Sequence, residues 1–246
     1  MTAVDLNCDL GEGAGQDAAL MPLISSANIA CGGHAGDDAT MRATVRLAVR
    51  HDVHIGAHPG FVDRENFGRR ELPVSAGQVA ELVRRQVQVL REIANDFGAA
   101  VHHVKLHGAL YSVASRDRQL AEAVVQAVGS MDRTPALYAL AGSELERVAR
   151  AKGNLVVRSE VFADRRYQPD GSLTPRSHAN AVIEDEAEAV GQALRMVREG
   201  RVVAIDGRDV PVRADTICLH GDGPHAVGFA VAINAAFRAA GIAIRA

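Results

Sequence analysis

Five short apolar stretches of this chain each run straight into a cluster of Asp, His, Lys or Glu: VDLNCDLGEG (Val4–Gly13), NIACGGHAGD (Asn28–Asp37), VHIGAHPG (Val53–Gly60), VHHVKLHGALY (Val101–Tyr111) and TICLHGD (Thr216–Asp222). A strand that ends in a Gly-containing turn bearing ionisable groups is how an α/β sheet delivers side chains to one rim. Five such runs from separated parts of the chain converge on one pocket only if their strands are parallel and side by side.

Segments of helical periodicity lie between them. In Ser75–Asn95, Val79, Leu82, Val83, Val87, Leu90 and Ile93 recur at three- and four-residue steps, and Ser75 with Gln78 predicts a capping box. Further helices are expected at Asp38–Arg50, Arg118–Val128, Ser143–Ala151, Glu186–Glu199 and His225–Ala240, the last three followed by Gly153, Gly200 and Gly241. With strands added at Ala136–Ala141 and Leu155–Val161, about seven βα units follow one another. Ionisable groups after nearly every strand favour a closed barrel; an open doubly wound sheet, which gathers its ligand groups at one switch point, is the alternative. The 246 residues are read as a single barrel domain.

The formal net charge is −3, with no Lys/Arg-rich run, so nucleic acid is not an expected partner. No apolar stretch is of membrane-spanning length and no signal region leads the chain, which predicts a cytoplasmic protein without a membrane partner. Cys8, Cys31 and Cys218 are odd in number, widely spaced and set in apolar runs, as buried free thiols are; Cys31 or Cys218 as a nucleophile is the sharper alternative.

In the first run Asp5, Asn7 and Asp9 alternate with Leu6, Cys8 and Leu10, which places the three polar residues on one face of a strand. Asp9 is a candidate general base or metal ligand, and Asp5 a member of an internal hydrogen-bond network. The GEGAG loop (Gly11–Gly15) is not GxGxxG, GxxxxGK[ST] is absent, and Glu12 in that loop would repel phosphate. His34, His58, His107 and His220 each sit at or just past a strand end, where imidazole can shuttle protons or bind metal, although no HExxH pair is present. A divalent metal therefore stays open. Lys105, two residues before His107, suits a developing oxyanion or a buried ion pair, and Glu160 and Asp222 occupy similar strand-end positions. Two longer connections, Gly60–Pro73 and Phe162–Val182, are rich in Arg, Asp and Gly, as loops over an anionic substrate are.

The strings DLNCDLGEG, SSANIACGGHAGD, IGAHPGF with NFGRR, HVKLHGALY, EVFADRRYQPDGSLTPR and CLHGDGPHA resemble the LamB/YcsF family from Asp5 to about Ala226. The chain departs from the family's usual pattern at Gly33 (commonly Phe), Leu106 (commonly Pro) and Ser112 (commonly Asn), changes that remove no ionisable group. The resemblance implies a (β/α) barrel of about seven strands similar to polysaccharide deacetylases. It also implies ATP-coupled opening of the 5-oxoproline lactam to L-glutamate, with two partner subunits, B and C, of a 5-oxoprolinase. Phosphorylation of the amide oxygen would make the carbon attackable; water would add, the ring C–N bond break and phosphate leave. In that scheme Asp9 or Asp222 deprotonates water, His107 or His220 protonates the leaving nitrogen and Lys105 stabilises oxygen charge. Asn7, Glu12, Asn28, His34, His58, Arg69, Arg70, Glu160, Asp164 and Arg176 form the expected substrate-binding set, the arginines holding a carboxylate or phosphate. With no phosphate loop, ATP is expected on a partner subunit or across the interface. A stand-alone metal-dependent deacetylase or amidohydrolase, and a non-catalytic small-acid carrier, are the other readings.

Overall fold

The polar-apolar alternation of the first strand determines what must surround it. In the computed structural model, which describes residues 2–223 and 225–246, β1 (Ala3–Leu10) buries Asp5, Asn7 and Asp9 as deeply as Leu6, Cys8 and Leu10. A strand buried on both faces needs a layer on each side, and a closed parallel barrel sheathed in helices supplies both.

β1 leads through a short helix α1 (Asp17–Leu20) and a 3-10 turn (Met21–Leu23) into β2 (Ser26–Ala30), followed by α2 (Asp38–His51) and β3 (His54–His58). A loop containing a second 3-10 turn (Arg64–Asn66) precedes α3 (Ala76–Asp96) and β4 (Val101–Lys105). Two consecutive helices, α4 (Gly108–Arg116) and α5 (Arg118–Gly129), then lead to β5 (Ala136–Leu140), α6 (Glu144–Lys152) and β6 (Val157–Phe162). A long crossover with α7 (Glu186–Glu199) and a hairpin of β7 (Arg201–Val203) and β8 (Asp209–Pro211) reaches β9 (Thr216–His220), then α8 (Ala226–Ala239) and β10 (Ala243–Ile244). The seven strands β1 to β6 and β9 pair in parallel in that order, and β9 closes on β1 with Asp5 opposite Thr216 and Asp9 opposite His220. β10 extends the sheet beside the start of β1, with Ala3 opposite Ala243. The open-sheet alternative is thereby set aside.

The helix limits follow the capping chemistry. Ser75 and Gln78 form both halves of a capping box on α3, and α6 and α7 stop at Gly153 and Gly200, both left-handed. Where VHHVKLHGALY reads as one run, the strand ends at Lys105 and α4 starts two residues after Leu106. Ala109, Leu110, Val113 and Ala114 bury the inner face of α4 at helical spacing, a pattern too short to stand out in the sequence. The hairpin and β10, with three or fewer residues per strand, give no periodic signal. Among the described residues no helix is long and apolar enough to cross a membrane.

The barrel interior is tightly filled. A Cβ on Gly56 of β3 would stand 1.9 Å from His103 Nε2, so glycine is what lets the imidazole cross the interior. Gly56→Ala is therefore expected to destabilise by about 1–3 kcal/mol or more, the usual range for overpacking. Gly191→Ala in α7, where the added methyl meets nothing within 4 Å, should be neutral or stabilising. Urea denaturation of the two variants checks the contrast.

Candidate active site

Lys105 sits at the end of β4 with only 2% of its surface exposed. Its ammonium lies 2.7 Å from Asp9 Oδ1, 3.1 Å from Glu160 Oε1, 2.9 Å from Cys218 Sγ and 3.3 Å from Asn7 Oδ1. Side-chain amides fix the carboxylates. Asn7 donates to Glu160 Oε1 (3.0 Å) and Thr216 (2.7 Å); Asn28 donates to Asn7 Oδ1 (2.7 Å) and Asp9 Oδ1 (2.8 Å) and accepts from His103 Nε2 (2.7 Å). Tyr111, on α4, donates to Glu160 Oε2 at 2.8 Å. One layer below, Asp5 accepts from Ser25, Ser26 and Thr216, the network role expected of it.

Burial alone would neutralise these groups, but their mutual charges win. Burial lowers Lys105, yet Asp9 and Glu160 hold it well above the ordinary lysine range. Burial raises Asp9, yet His58 and Lys105 hold it well below the usual carboxylate range. Burial pushes the Cys218 thiol well up despite Lys105, and pushes Cys31 up to about 12, so both are neutral thiols rather than ready nucleophiles. All three cysteines are free and buried.

Beside Asp9, three imidazoles surround Glu12. Glu12 Oε1 lies 2.9 Å from His34 Nε2, 3.2 Å from His107 Nδ1 and 3.8 Å from His58 Nε2, and His58 Nε2 is 3.3 Å from Asp9 Oδ2. The rings of His34 and His107 stack at 3.5 Å. Ligand atoms of Glu12, His34, His58 and His107 all fall within 4.8 Å of one another, a cluster able to hold a metal ion; Asp9, Cys218 and His220 form a second such group. Burial, set against the Glu12 carboxylate, holds His34 down to about 4.

These groups open into one cavity of about 1060 Å³ whose lining includes Asp9, His58, Arg69, Lys105, His107, Arg165, Arg176 and His220. His220 Nδ1 lies 2.8 Å from Asp164 Oδ2, and Asp164 also accepts the His220 backbone N–H at 3.2 Å, which leaves His220 Nε2 toward the cavity. Asn7, Glu12, Asn28, His34, Glu160 and Asp164 stand behind the lining and support it. Asp222 is at the rim, held by Arg69 at 2.5 Å, and Arg70 is directed at Asp63 (3.4 Å) with 62% of its side chain exposed. Arg165, absent from the expected set, lines the cavity with its guanidinium on the Thr174 and Ala181 carbonyls. His103 and Tyr111 are likewise additions. His103 is two residues before Lys105 on the same strand, so alternation points to it, whereas Tyr111 depends on α4. Gly33 leaves no room for a side chain: its Cβ would meet Gln86 Nε2 and the Gly60 carbonyl at 2.6 Å. A larger residue there requires both Gln86 and the Gly60 backbone to move.

Removing the cation from this cluster leaves the buried Asp9 and Glu160 carboxylates without the charge they share. Lys105→Met should cost about 3–5 kcal/mol of stability, as breaking a buried ion pair does. Adding Glu160→Gln to that variant should recover part of the loss, as read from urea midpoints of the single and double variants.

Known proteins resemble this chain over its whole length. A 5-oxoprolinase A subunit from Tolumonas auensis is 51% identical over 251 residues, with all of both chains covered. The crystal structure of a lactam utilization protein from Thermus thermophilus superposes with a TM-score of 0.92 at 46% identity, again over all of both chains. A T48 deacetylase, 13% identical, matches with a TM-score of 0.51 over 99% of this chain and 87% of its own, a likeness of fold. The LamB/YcsF family model matches residues 4–246, and the chain belongs to the LamB/YcsF family.

Proposed function

We propose that this chain is the A subunit of an ATP-dependent 5-oxoprolinase, a hydrolase that opens the lactam of 5-oxoproline to L-glutamate. The observation that carries the reading is the buried Lys105–Asp9 pair at the floor of a cavity whose wall presents His220. The relatives named for 5-oxoprolinase and lactam utilization, alike over the full chain, support it.

A lactam carbonyl resists attack, and ATP supplies the driving force by phosphorylating the amide oxygen. The Lys105 ammonium faces the negative charge of the phosphoryl group carried on that oxygen. Asp9 remains ionised and orients the attacking water, taking its proton as the carbon becomes tetrahedral. The ring C–N bond then breaks, and the departing nitrogen receives a proton from His220 Nε2 while Asp164 holds Nδ1. Water finally displaces phosphate from the opened acyl group, giving glutamate. His107 is less suited to donate, since one of its nitrogens is 2.9 Å from the Phe67 carbonyl and the other faces His58 and Glu12. Arg176 and Arg165, on the outer wall, suit the substrate carboxylate or a phosphate. Glu12, His58 and His107, with His34 bracing Glu12, would hold a divalent cation, which when bound would supply positive charge beside Asp9; none of the steps above runs through it.

The chain carries no phosphate loop, so ATP is delivered by or shared with partner subunits B and C, in the cytoplasm. A stand-alone, chelator-sensitive amidohydrolase is the second reading, and the histidine cluster is the observation in its favour.

Glutamate release from 5-oxoproline, assayed with and without subunits B and C, ATP and a chelator, separates the two. Release only with partners and ATP is the expected result; release by the isolated chain without ATP would favour the amidohydrolase, and none from a folded complex would overturn both. Within the complex, His220→Gln should lower kcat by about 10²–10⁴-fold, the usual worth of a general acid, with a smaller change in KM. Asp164→Asn should cost less, and Arg176→Ala should act chiefly on KM.

A further inference from the structure

We infer that Glu12, His58 and His107 are the protein ligands of a divalent cation, with His34 positioning Glu12. Counting protons on the ring nitrogens leads there. His58 Nδ1 lies 2.8 Å from the Lys105 carbonyl and His107 Nε2 lies 2.9 Å from the Phe67 carbonyl. A carbonyl oxygen only accepts, so both of these nitrogens carry their hydrogens. In the neutral imidazoles the other two nitrogens, His58 Nε2 and His107 Nδ1, are then bare lone pairs, and they face each other at 3.0 Å. Two buried lone pairs at that distance repel unless something positive lies beside both. The Glu12 carboxylate, 3.2 Å and 3.8 Å away, adds negative charge to the same point, as does Asp9 Oδ2 at 3.3 Å from His58.

Metal-binding histidines have the same wiring, the far nitrogen donating to a backbone carbonyl so that the near one is fixed as a ligand. His34 does not. Its Nδ1 is buried with no partner, which makes that nitrogen the bare one and leaves Nε2–H to donate to Glu12 Oε1 at 2.9 Å. His34 therefore orients the carboxylate. Two imidazoles and a carboxylate, with a second carboxylate adjacent, are the donor set of a borderline cation such as Zn²⁺, Co²⁺ or Mn²⁺ rather than of Ca²⁺. The site lies at the inner end of the cavity, since His58, His107 and Asp9 all line it. Cation binding here does not depend on the oxoprolinase reading.

The competing occupant is a single proton shared by His58 and His107. Chelator-treated full-length chain, titrated with CoCl₂ and ZnCl₂ and followed by calorimetry and visible absorption, distinguishes them. One equivalent of Co²⁺ with ligand-field bands, competed off by Zn²⁺, is the expected result. His58→Gln and His107→Gln should abolish the bands while thermal melts report a folded chain, and His34→Gln should weaken binding about 10–100-fold, the usual effect of losing a supporting contact. The exposed, stacked His54–His102 pair provides the control for adventitious binding, and His102→Gln should leave the bands intact. Absence of stoichiometric binding by the wild-type chain would overturn the site, as would binding lost only with His102. If the histidine variants fail to fold, the wild-type titration together with His34→Gln and His102→Gln decides the matter.

Discussion

A single ammonium group, that of Lys105, is shared inside the barrel by two carboxylates from two other strands. Its environment dictates much of what surrounds it. A cation buried to this depth is tolerable only if its partners are close, ionised and themselves hydrogen-bonded. Asn7 and Asn28 meet that need, Asn7 donating to Glu160 and Thr216 and Asn28 to Asp9 and Asn7, and Tyr111 takes the remaining Glu160 oxygen. Each of these residues must come from a strand facing inward, or from the first turn of a helix stacked on the barrel's end. The requirement for parallel, closed strands and the requirement for a satisfied charge are thus met by the same side chains.

The geometry divides the ionisable groups into two sets with different tasks. On one side, Lys105, Asp9 and the Asp164–His220 pair combine an electrophilic cation, an ionised acceptor and an oriented proton donor around open space. On the other, Glu12 and three histidines pack against one another with little room for substrate between them. That separation argues for proton transfer at His220 and for charge holding at His58 and His107, roles that the even spacing of the four histidines after their strands does not distinguish.

Much of the barrel was legible in the sequence because its strands end in chemistry and its helices begin and end in caps. Asp5, Asn7 and Asp9 revealed their common face by alternation alone, and Ser75, Gly153 and Gly200 marked helix limits to within a residue or two. What stayed hidden depends on contacts distant in sequence. Tyr111 reaches Glu160 only because α4 starts where a longer strand would otherwise run, and Asp164 reaches His220 across 56 residues. Arg70 illustrates the converse: an Arg in a loop near the mouth reads like its neighbour Arg69, but the turn at Arg64–Asn66 directs it to Asp63.

The closure of β9 on β1 has a consequence for how the molecule is made. Asp5 and Thr216 are 211 positions apart, and every inward group of β1 waits for the last barrel strand before its surroundings are complete. Until then the barrel is an open trough in which water can still solvate Lys105 and its carboxylates. Removing that water and joining the first strand to the last are one event, so the cost of burying the charges falls late in folding, at a step of high contact order. During synthesis most of the chain must leave the ribosome before the site can exist.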